Sequence, residues 1–295
     1  MNLAPHHPAV DHRVDASVAG KVSRTQAFTL IELLVVIGII GVLASLLLPA
    51  LIRAQSKGQS AVCVNHLRQL AIANQLYSSD ADGRLPYNLG AADTKKTIKY
   101  GSFLNWANNV MSWELDPDNT NTTWLARGGL GPYLAGNTKV FRCPADRALS
   151  GLQRQAGWSE RTRSYSMNAM VGNAGEFSYE GFNVNNPKYT QFFKEAAIPQ
   201  PAQIFMLIEE HPDSINDGYF LNKFWQREWF DLPASWHNGG VNLTFADGHA
   251  ESHRWLSEST APPPRPSAAQ LPRPLPDSMA AADFDWLMRR TSIVR

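Results

Sequence analysis

The chain has 295 residues, and its 27 Lys and Arg side chains nearly balance 26 Asp and Glu, giving a formal net charge of +1. That balance argues against a nucleic-acid-binding protein, which needs a basic surface, and an apolar content of 44% argues against wholesale disorder. Two cysteines are too few for a Cys-only zinc cluster or a disulfide-dense scaffold, although one disulfide can form outside the cytoplasm.

An uncharged apolar run, from Leu33 to Ile52, is the first strong signal along the chain. It has the length of about 20 residues that a helix needs to cross a bilayer core. It is longer than the apolar part of a cleaved secretory signal, about 7–15 residues, and a buried helix of a soluble protein usually carries more polar residues. No second such run follows in the sequence, so we predict one membrane-spanning helix, with the rest of the chain on one side.

Residues around the start of this run resemble a known signal. The basic residues Lys21 and Arg24 come first, followed by the small residue Ala27. Phe28 is next, and Glu32 stands just before the apolar run. This order resembles the N-terminal signal of type IV pilins and type II secretion pseudopilins, although Ala27 stands where that family usually has Gly. The resemblance implies that a prepilin peptidase cuts between Ala27 and Phe28, and that Phe28 becomes the N-methylated first residue of the mature chain.

Two further positions agree with this signal. Glu32 would be the fifth residue of the mature chain, and a carboxylate at a bilayer edge is costly unless it has a cationic partner. The resemblance implies that Glu32 meets the new α-amine of a neighbouring subunit in a filament; an incidental interfacial acid is the alternative. Pro49 would be the twenty-second residue, where pilins also tend to carry Pro. It should kink or loosen the helix because it lacks an N–H group.

The same resemblance implies a location for each N-terminal segment. Residues 1–27 are expected to be a cytoplasmic leader. Residues 28–52 are expected to be the membrane-spanning half of a long N-terminal helix, in the bacterial inner membrane. The chain then crosses that membrane once, and its head domain lies in the periplasm or at the cell surface in a filament.

Helical periodicity continues beyond the membrane-spanning run. Within segment 53–83, five residues fall within about 40° of one direction at about 100° per residue: Cys63, Leu67, Leu70, Asn74 and Tyr77. This stripe predicts an amphipathic half of the helix on which a globular domain packs. Gly83 and Pro86 predict its end, and the acidic residues beside Gly83 lack the later ligands of an EF-hand loop.

Residues 84–258 are predicted to form a head domain. Short apolar segments alternate there with turns rich in Gly, Asn and Pro, which is typical of strands and loops. The densest apolar run, Ala202–Glu209, predicts a central strand. We therefore predict an α+β fold in which a long N-terminal helix packs on a mainly antiparallel β head domain.

The two cysteines lie where helix and head should meet. Cys63 is on the stripe that faces the head, and Cys143 follows a short apolar run within it. In an oxidising compartment, we hypothesise a disulfide between them, which would stabilise the fold by roughly 4 kcal/mol on a loop-entropy estimate. Two free buried thiols are the alternative. A nucleophilic role for Cys143 finds no Cys-His-Asn signature around it.

Segment 241–255 predicts a β-hairpin. Apolar and polar residues alternate up to Asp247-Gly248, a preferred two-residue hairpin turn. Across such a turn, Phe245 should oppose Ala250.

In the same register, Asn242 should oppose His253. His249 and His253 have the H-x3-H spacing that binds zinc on a helix, but on a strand they lie roughly 13 Å apart. The hairpin is therefore preferred over a zinc site.

A second resemblance covers the head. His237, nine further residues and Asp247-Gly248 match the H-x9-DG signature of a large family of bacterial prepilin-like proteins. The resemblance extends over about residues 21–255. We expect a structural role, in which His237 fixes the loop entering the strand and Asp247-Gly248 makes the turn. A calcium ion near Asp247 is one alternative, since some pseudopilin heads hold calcium in a C-terminal loop, and an acid–base pair is another. No cofactor is otherwise expected.

The C-terminal segment 259–295 begins as a Pro-rich linker, with seven prolines between residues 261 and 276. Segment 283–290 after it predicts a short helix. That helix is too short to be stable alone, so it should dock on its own head or on a neighbour.

These features together predict a structural, non-enzymatic prepilin-like subunit, cleaved and N-methylated at Phe28. Its expected partners are the prepilin peptidase, the inner membrane and other pilin-like subunits of a type II secretion or type IV pilus-like filament, with no nucleic acid. The alternative is a membrane-anchored binding module for carbohydrate or surface polymer, which several exposed Trp in one groove would favour. An anchored enzyme lacks support, because no G-x-S-x-G, P-loop or H-E-x-x-H motif occurs.

Overall fold

The computed structural model describes residues 29–295, so the predicted cleavage site at Ala27 and Phe28 lies outside the described residues. The chain divides between Pro49 and Ala50 into an N-terminal unit and a C-terminal unit of residues 50–295. Five α-helices occur in the described residues: α1 (Leu30–Asp80), α2 (Ala91–Lys99), α3 (Thr122–Arg127), α4 (Gly151–Gln155) and α5 (Ser278–Met288).

The described part of the chain contains ten strands, which all lie in the C-terminal unit and form three sheets. They are β1 (Tyr165–Asn168), β2 (Ser178–Tyr179), β3 (Phe182–Asn183), β4 (Asn186–Thr190), β5 (Phe205–Glu209), β6 (Tyr219–Phe220), β7 (Glu228–Trp229), β8 (Gly240–Phe245), β9 (Ala250–Arg254) and β10 (Arg273–Pro274). The main sheet has the order β6-β1-β5-β8-β9. Its pairs are antiparallel except for β1 with β6. The run predicted to be a central strand is the middle strand, β5.

The first part of α1, within the N-terminal unit, exposes a continuous apolar surface. In the described residues α1 is the single helix long and apolar enough to cross a membrane. Its sequence explains both properties, because every side chain from Leu33 to Pro49 is uncharged and a helix pairs most of its backbone groups within the segment.

The later part of α1 packs on one face of the main sheet. Cys63, Leu67 and Leu70 are fully buried there, in a core that also contains Met167 of β1 and Leu207 of β5. Burying a leucine side chain contributes about 1.5–3 kcal/mol, so this stripe holds the helix on the sheet. Both the predicted apolar stripe and the predicted α+β fold, a long N-terminal helix with a mainly antiparallel head, are confirmed.

A second core covers the opposite face of the main sheet. Phe205 and Phe245 from the strands pack there with Trp229 and with Phe284 of α5. Helix α5 begins at a cap in which the Asp277 carboxylate accepts the N–H of Ala280, with 2.7 Å between N and O. The C-terminal helix thus shares a core with the head of its own chain, rather than projecting from it.

Strands β8 and β9 form the predicted hairpin, but the predicted register is wrong by one residue. The sequence predicted Phe245 opposite Ala250 and Asn242 opposite His253. In the structure the pairs are Thr244 with Ala250, Asn242 with Ser252 and Val241 with His253.

The register differs because the loop has three residues instead of two. Gly248 adopts the left-handed conformation, with φ +90°, and its N–H donates to the carbonyl of Phe245. The Phe245 N–H in turn donates to the carbonyl of His249. Asp247-Gly248 therefore forms the end of a three-residue loop, a common hairpin type with glycine in this conformation.

Candidate functional site

The start of α1 is held by a reciprocal cap between Thr29 and Glu32. The Thr29 N–H and hydroxyl donate to one oxygen of the Glu32 carboxylate, at 2.9 and 2.7 Å. The Glu32 N–H donates back to the Thr29 hydroxyl at 3.2 Å. This is the Thr-x-x-Glu capping box, which the sequence shows and which satisfies N–H groups that have no partner in the helix. Glu32 is exposed, so its carboxylate can accept further donors.

Pro49 lies inside α1, and the helix runs through it from Leu30 to Asp80. Because proline has no N–H, the carbonyl of Ser45 lacks its usual intrahelical donor. The chain also divides into its two units directly after Pro49.

Four chemically reactive side chains meet in the C-terminal unit. Cys63 of α1 and Cys143 of the head are joined by a disulfide, with their Cα atoms 5.2 Å apart. The Nε2 atom of His237 lies 3.5 Å from the Cys143 Sγ atom and 3.0 Å from the Oε1 atom of Glu209. One possible ligand atom from each residue lies within 4.8 Å of the other three. The disulfide, His237 and Glu209 thus form a single cluster.

Local structure explains how the cysteines reach this cluster. Cys63 lies on the buried stripe of α1, and a short 3-10 turn, Thr138–Phe141, delivers Cys143. The carbonyl of Arg142 accepts a hydrogen bond from the Nδ1 atom of His66 at 2.9 Å. His66 lies one helical turn after Cys63, so the loop is fixed to α1 at two successive points.

His237 and Glu209 are also fixed by neighbouring backbone. His237 begins a tight turn, in which its carbonyl accepts the N–H of Gly240 at the start of β8. Glu209 ends β5 and is completely buried, and its Oε2 atom accepts the N–H of Asn242 at 2.7 Å. A buried carboxylate needs such partners because an unpaired one is costly. Among the described residues, the Nδ1 atom of His237 has no hydrogen-bond partner.

Asp247 lies in the hairpin loop and contacts His249. Its Oδ1 atom accepts the backbone N–H of His249 at 3.1 Å and lies 2.5 Å from the Nδ1 atom of the same residue. Partial burial acts to raise the pKa of Asp247, but these two His249 groups outweigh it, so the pKa lies below its ordinary value. His237 and Asp247, both in the predicted motif, thus have separate side-chain partners.

The two hairpin histidines face different aromatic rings. His249 stacks on Phe245, with 4.3 Å between ring centroids. His253 stacks on Trp286 of α5, with 3.5 Å between centroids. Both imidazoles therefore pack against aromatic neighbours.

Glu209 is the member of the cluster that sequence reasoning missed. The run Ala202–Glu209 was predicted to be a central strand, and a central strand is buried. A carboxylate at the end of such a strand needs a buried hydrogen-bond donor. The sequence therefore offered a reason to expect a partner for Glu209, although it did not identify that partner.

A separate buried charge group lies beside β1. Arg163 donates to the carbonyls of Tyr165 and Asp217, both at 2.7 Å. Burial raises the pKa of Glu210 to about 8 and that of Asp217 to about 6. It lowers the pKa of Arg163 to about 10. These shifts follow from desolvation of charges inside the protein.

The tryptophans bear on the binding-module alternative. All nine lie in the described residues, and only Trp225 is exposed, at 66%. Its indole N–H is held by the carbonyl of Asn185 at 2.9 Å. Trp106, Trp229 and Trp255 are buried. The described residues thus form no groove with several exposed Trp, the arrangement that would have favoured that alternative.

One comparison with known proteins gives a match. Residues 22–48 match the family model described as the prokaryotic N-terminal methylation motif. This motif marks a prepilin-like protein with a type IV pilin-like N-terminus, a class that is processed by prepilin peptidase and is typically structural rather than enzymatic. The apolar helix α1 begins within the matched residues, and such a helix in a prepilin-like protein is typical of a membrane anchor with an extracytoplasmic head. No curated protein and no solved structure matches the chain.

Proposed function

We propose that this protein is a structural subunit of a type II secretion or type IV pilus-like filament in the bacterial inner membrane. It is cut between Ala27 and Phe28 and N-methylated at Phe28. The observation that carries the proposal is the continuity of three features. The methylation motif at residues 22–48 runs into α1, the first part of α1 is exposed and apolar, and the later part is embedded in a folded head.

Glu32 gives this proposal a mechanism. Cleavage creates an α-amine at Phe28, with an ordinary pKa of about 7.7–8.0, so much of it is cationic near neutral pH. The exposed Glu32 carboxylate of another subunit can accept that ammonium group. In a bilayer such pairing removes the cost of two lone charges and sets the register between neighbouring helices.

The exposed face of α1 supports contact between subunits. In the C-terminal unit, Val62, Ile72 and Leu76 are all exposed on the helix, away from its buried stripe. Apolar side chains at such positions gain free energy when another subunit covers them. A helix that is apolar in its first part and keeps apolar residues on its later outer side suits a filament built around packed helices.

The head domain has a supporting part in this proposal. We assign it to the H-x9-DG type of prepilin-like head on the strength of His237 and Asp247-Gly248. The disulfide ties the head to α1, and the contact between His237 and Glu209 fixes the turn and the strand beside it. A pull along the helix would therefore reach the head through a covalent bond.

Intact mass and N-terminal sequencing of the chain from its native membrane test the proposal. The expected mature chain starts at Phe28 and carries one added methyl group on its amine. An Ala27→Gly variant should be cut at least as well, because it restores the residue usual in that family. A charged residue, in Ala27→Glu, should block the cut. A native chain that keeps residues 1–27 would contradict the proposal.

A further inference from the structure

The disulfide is surrounded by the other side chains that bind zinc. Cys63 and Cys143 offer sulfur, His237 offers nitrogen and Glu209 offers oxygen. Thiolate, imidazole and carboxylate are the ligand types of protein zinc sites, which are usually tetrahedral. The four residues come from α1, a loop, β5 and the turn before β8, so the convergence is built by the tertiary fold.

The distances approach those of a tetrahedral site. Zinc bonds of about 2.0–2.3 Å place neighbouring ligand atoms about 3.3–3.8 Å apart. The His237 Nε2 atom already lies 3.0 Å from Glu209 Oε1 and 3.5 Å from Cys143 Sγ. Once the S–S bond is broken, the sulfurs must separate by a further distance of about 1.7 Å to reach that spacing.

The polar contacts of the cluster favour a cation at its centre. The Nε2 atom of His237 faces two acceptors, an oxygen and a sulfur, and can carry only one proton. Glu209 is fully buried, with Oε2 accepting the Asn242 N–H, and with Oε1 turned toward His237 and, at 3.4 Å, toward the side-chain amide of Asn242. Carboxylates that bind metals are commonly held in this way by a hydrogen bond to their second oxygen. A zinc ion would satisfy the nitrogen and Oε1 together.

We infer that the dithiol form of this protein binds one zinc ion through Cys63, Cys143, Glu209 and His237. Reduction by a thiol or phosphine adds two electrons and two protons to the sulfurs. Zinc binding then releases those two protons, leaving two thiolates, a carboxylate and a neutral imidazole around Zn²⁺. The disulfide and the zinc site are mutually exclusive, and each ties α1 to the head.

The test uses the full-length chain in detergent, reduced with a phosphine. Because the leader contains His6, His7 and His12, all three are changed to Gln in every sample. Cobalt is added as a spectroscopic probe and then displaced by zinc. The reduced chain should bind one metal ion, with the thiolate-to-cobalt charge-transfer band and the visible bands of a tetrahedral site. The oxidised chain should show neither band.

Two ligand variants separate this site from adventitious binding by thiols alone. His237→Gln and Glu209→Gln should each weaken zinc binding by the reduced chain by at least about tenfold. His249→Gln removes a histidine outside the cluster and should leave the affinity unchanged. The comparison of reduced with oxidised wild-type chain needs no substitution and stands even if a variant misfolds. Equal metal binding by both redox forms, or wild-type affinity in both ligand variants, would overturn the inference.

Discussion

The imidazole of His237 contacts the carboxylate of Glu209 at 3.0 Å beside the disulfide that joins helix to head. The contact connects the turn before β8 to the end of β5, and both side chains are almost completely inaccessible to solvent. It therefore gives His237, the first residue of the predicted H-x9-DG motif, a partner 28 positions earlier in the sequence.

Removing the imidazole should destabilise the head. A His237→Ala variant leaves the Glu209 carboxylate buried without this donor, and breaking a buried pair in this way costs about 3 kcal/mol or more. Urea unfolding followed by tryptophan fluorescence measures the loss. His249→Ala, at an exposed position, removes a surface contact with Asp247 and a ring stacked on Phe245, and should cost less, about 1 kcal/mol. Equal stability of the two variants would contradict this account of the pair.

The disulfide should be detectable by mass and by stability. Reduction of the native chain should add two hydrogens, because Cys63 and Cys143 are paired across 80 positions. Loss of the bond should lower the free energy of unfolding by roughly 4 kcal/mol on the loop-entropy estimate. The double variant Cys63→Ser, Cys143→Ser should be equally weakened and insensitive to reductant. An unchanged mass after reduction under denaturing conditions would rule out the bond.

Stability should fall as pH rises through the neutral range. Glu210 loses its proton near pH 4.5 when unfolded, but burial raises its folded pKa to about 8. Between these values the folded chain holds a proton that the unfolded chain has lost, so increasing pH favours unfolding. The slope is at most about 1.4 kcal/mol per pH unit for one group.

A Glu210→Gln variant should have a shallower slope, because its side chain cannot ionise, while Asp231, whose pKa burial also raises, still contributes. Asp217, with a folded pKa of about 6, acts in the same direction and should leave a smaller fall below that pH. The test compares the urea midpoints of unfolding of the wild-type chain and of Glu210→Gln between pH 5 and pH 8. Parallel curves would show that Glu210 does not carry the effect.

Helix α5 should be part of the cooperative fold. Phe284 is buried against Trp229, with 5.0 Å between ring centroids. Phe284→Ala should therefore cost about 3–5 kcal/mol. Met279 on the same helix is 53% exposed, and Met279→Ala should be nearly neutral. If both variants lost the same free energy of unfolding, the buried face of α5 would not be what stabilises its contact with the head.

Glu32 should matter for assembly and not for the folding of the head. A Glu32→Gln variant keeps an acceptor for the Thr29 cap but cannot form an ion pair with an α-amine. We expect normal cleavage, an unchanged melting temperature of the head, and a large drop in cross-linking between subunits in the native membrane. Wild-type cross-linking would contradict the proposed pairing.

The sequence was most informative where structure depends on local periodicity. The stripe containing Cys63 and Leu67 predicted the later part of α1, and the apolar run ending at Glu209 predicted β5. Both predictions depend only on the spacing of apolar residues, which recurs every turn along a buried helix face and is continuous in a central strand. The hairpin register failed by one residue, since it depends on the left-handed conformation of Gly248 rather than on alternation.

Contacts between distant segments could not be predicted in this way. The pairing of β1 with β5 and the meeting of His237 with Glu209 both depend on how separate strands order themselves in the sheet. Hydrophobic periodicity indicates which face of a strand is buried, and carries no information about its neighbour. The buried acid at position 209 showed only that a partner was needed.

The capping box at Thr29 has a consequence for how readily subunits join and leave a filament. The Glu32 carboxylate already accepts two hydrogen bonds from Thr29 at the start of its own helix, so it has donors before any other subunit binds. Joining a filament would then exchange local bonds for a bond to another chain, and the net driving force would be the difference between them. Under the proposed function, the smaller that difference is, the more readily a subunit leaves the filament and returns to the membrane.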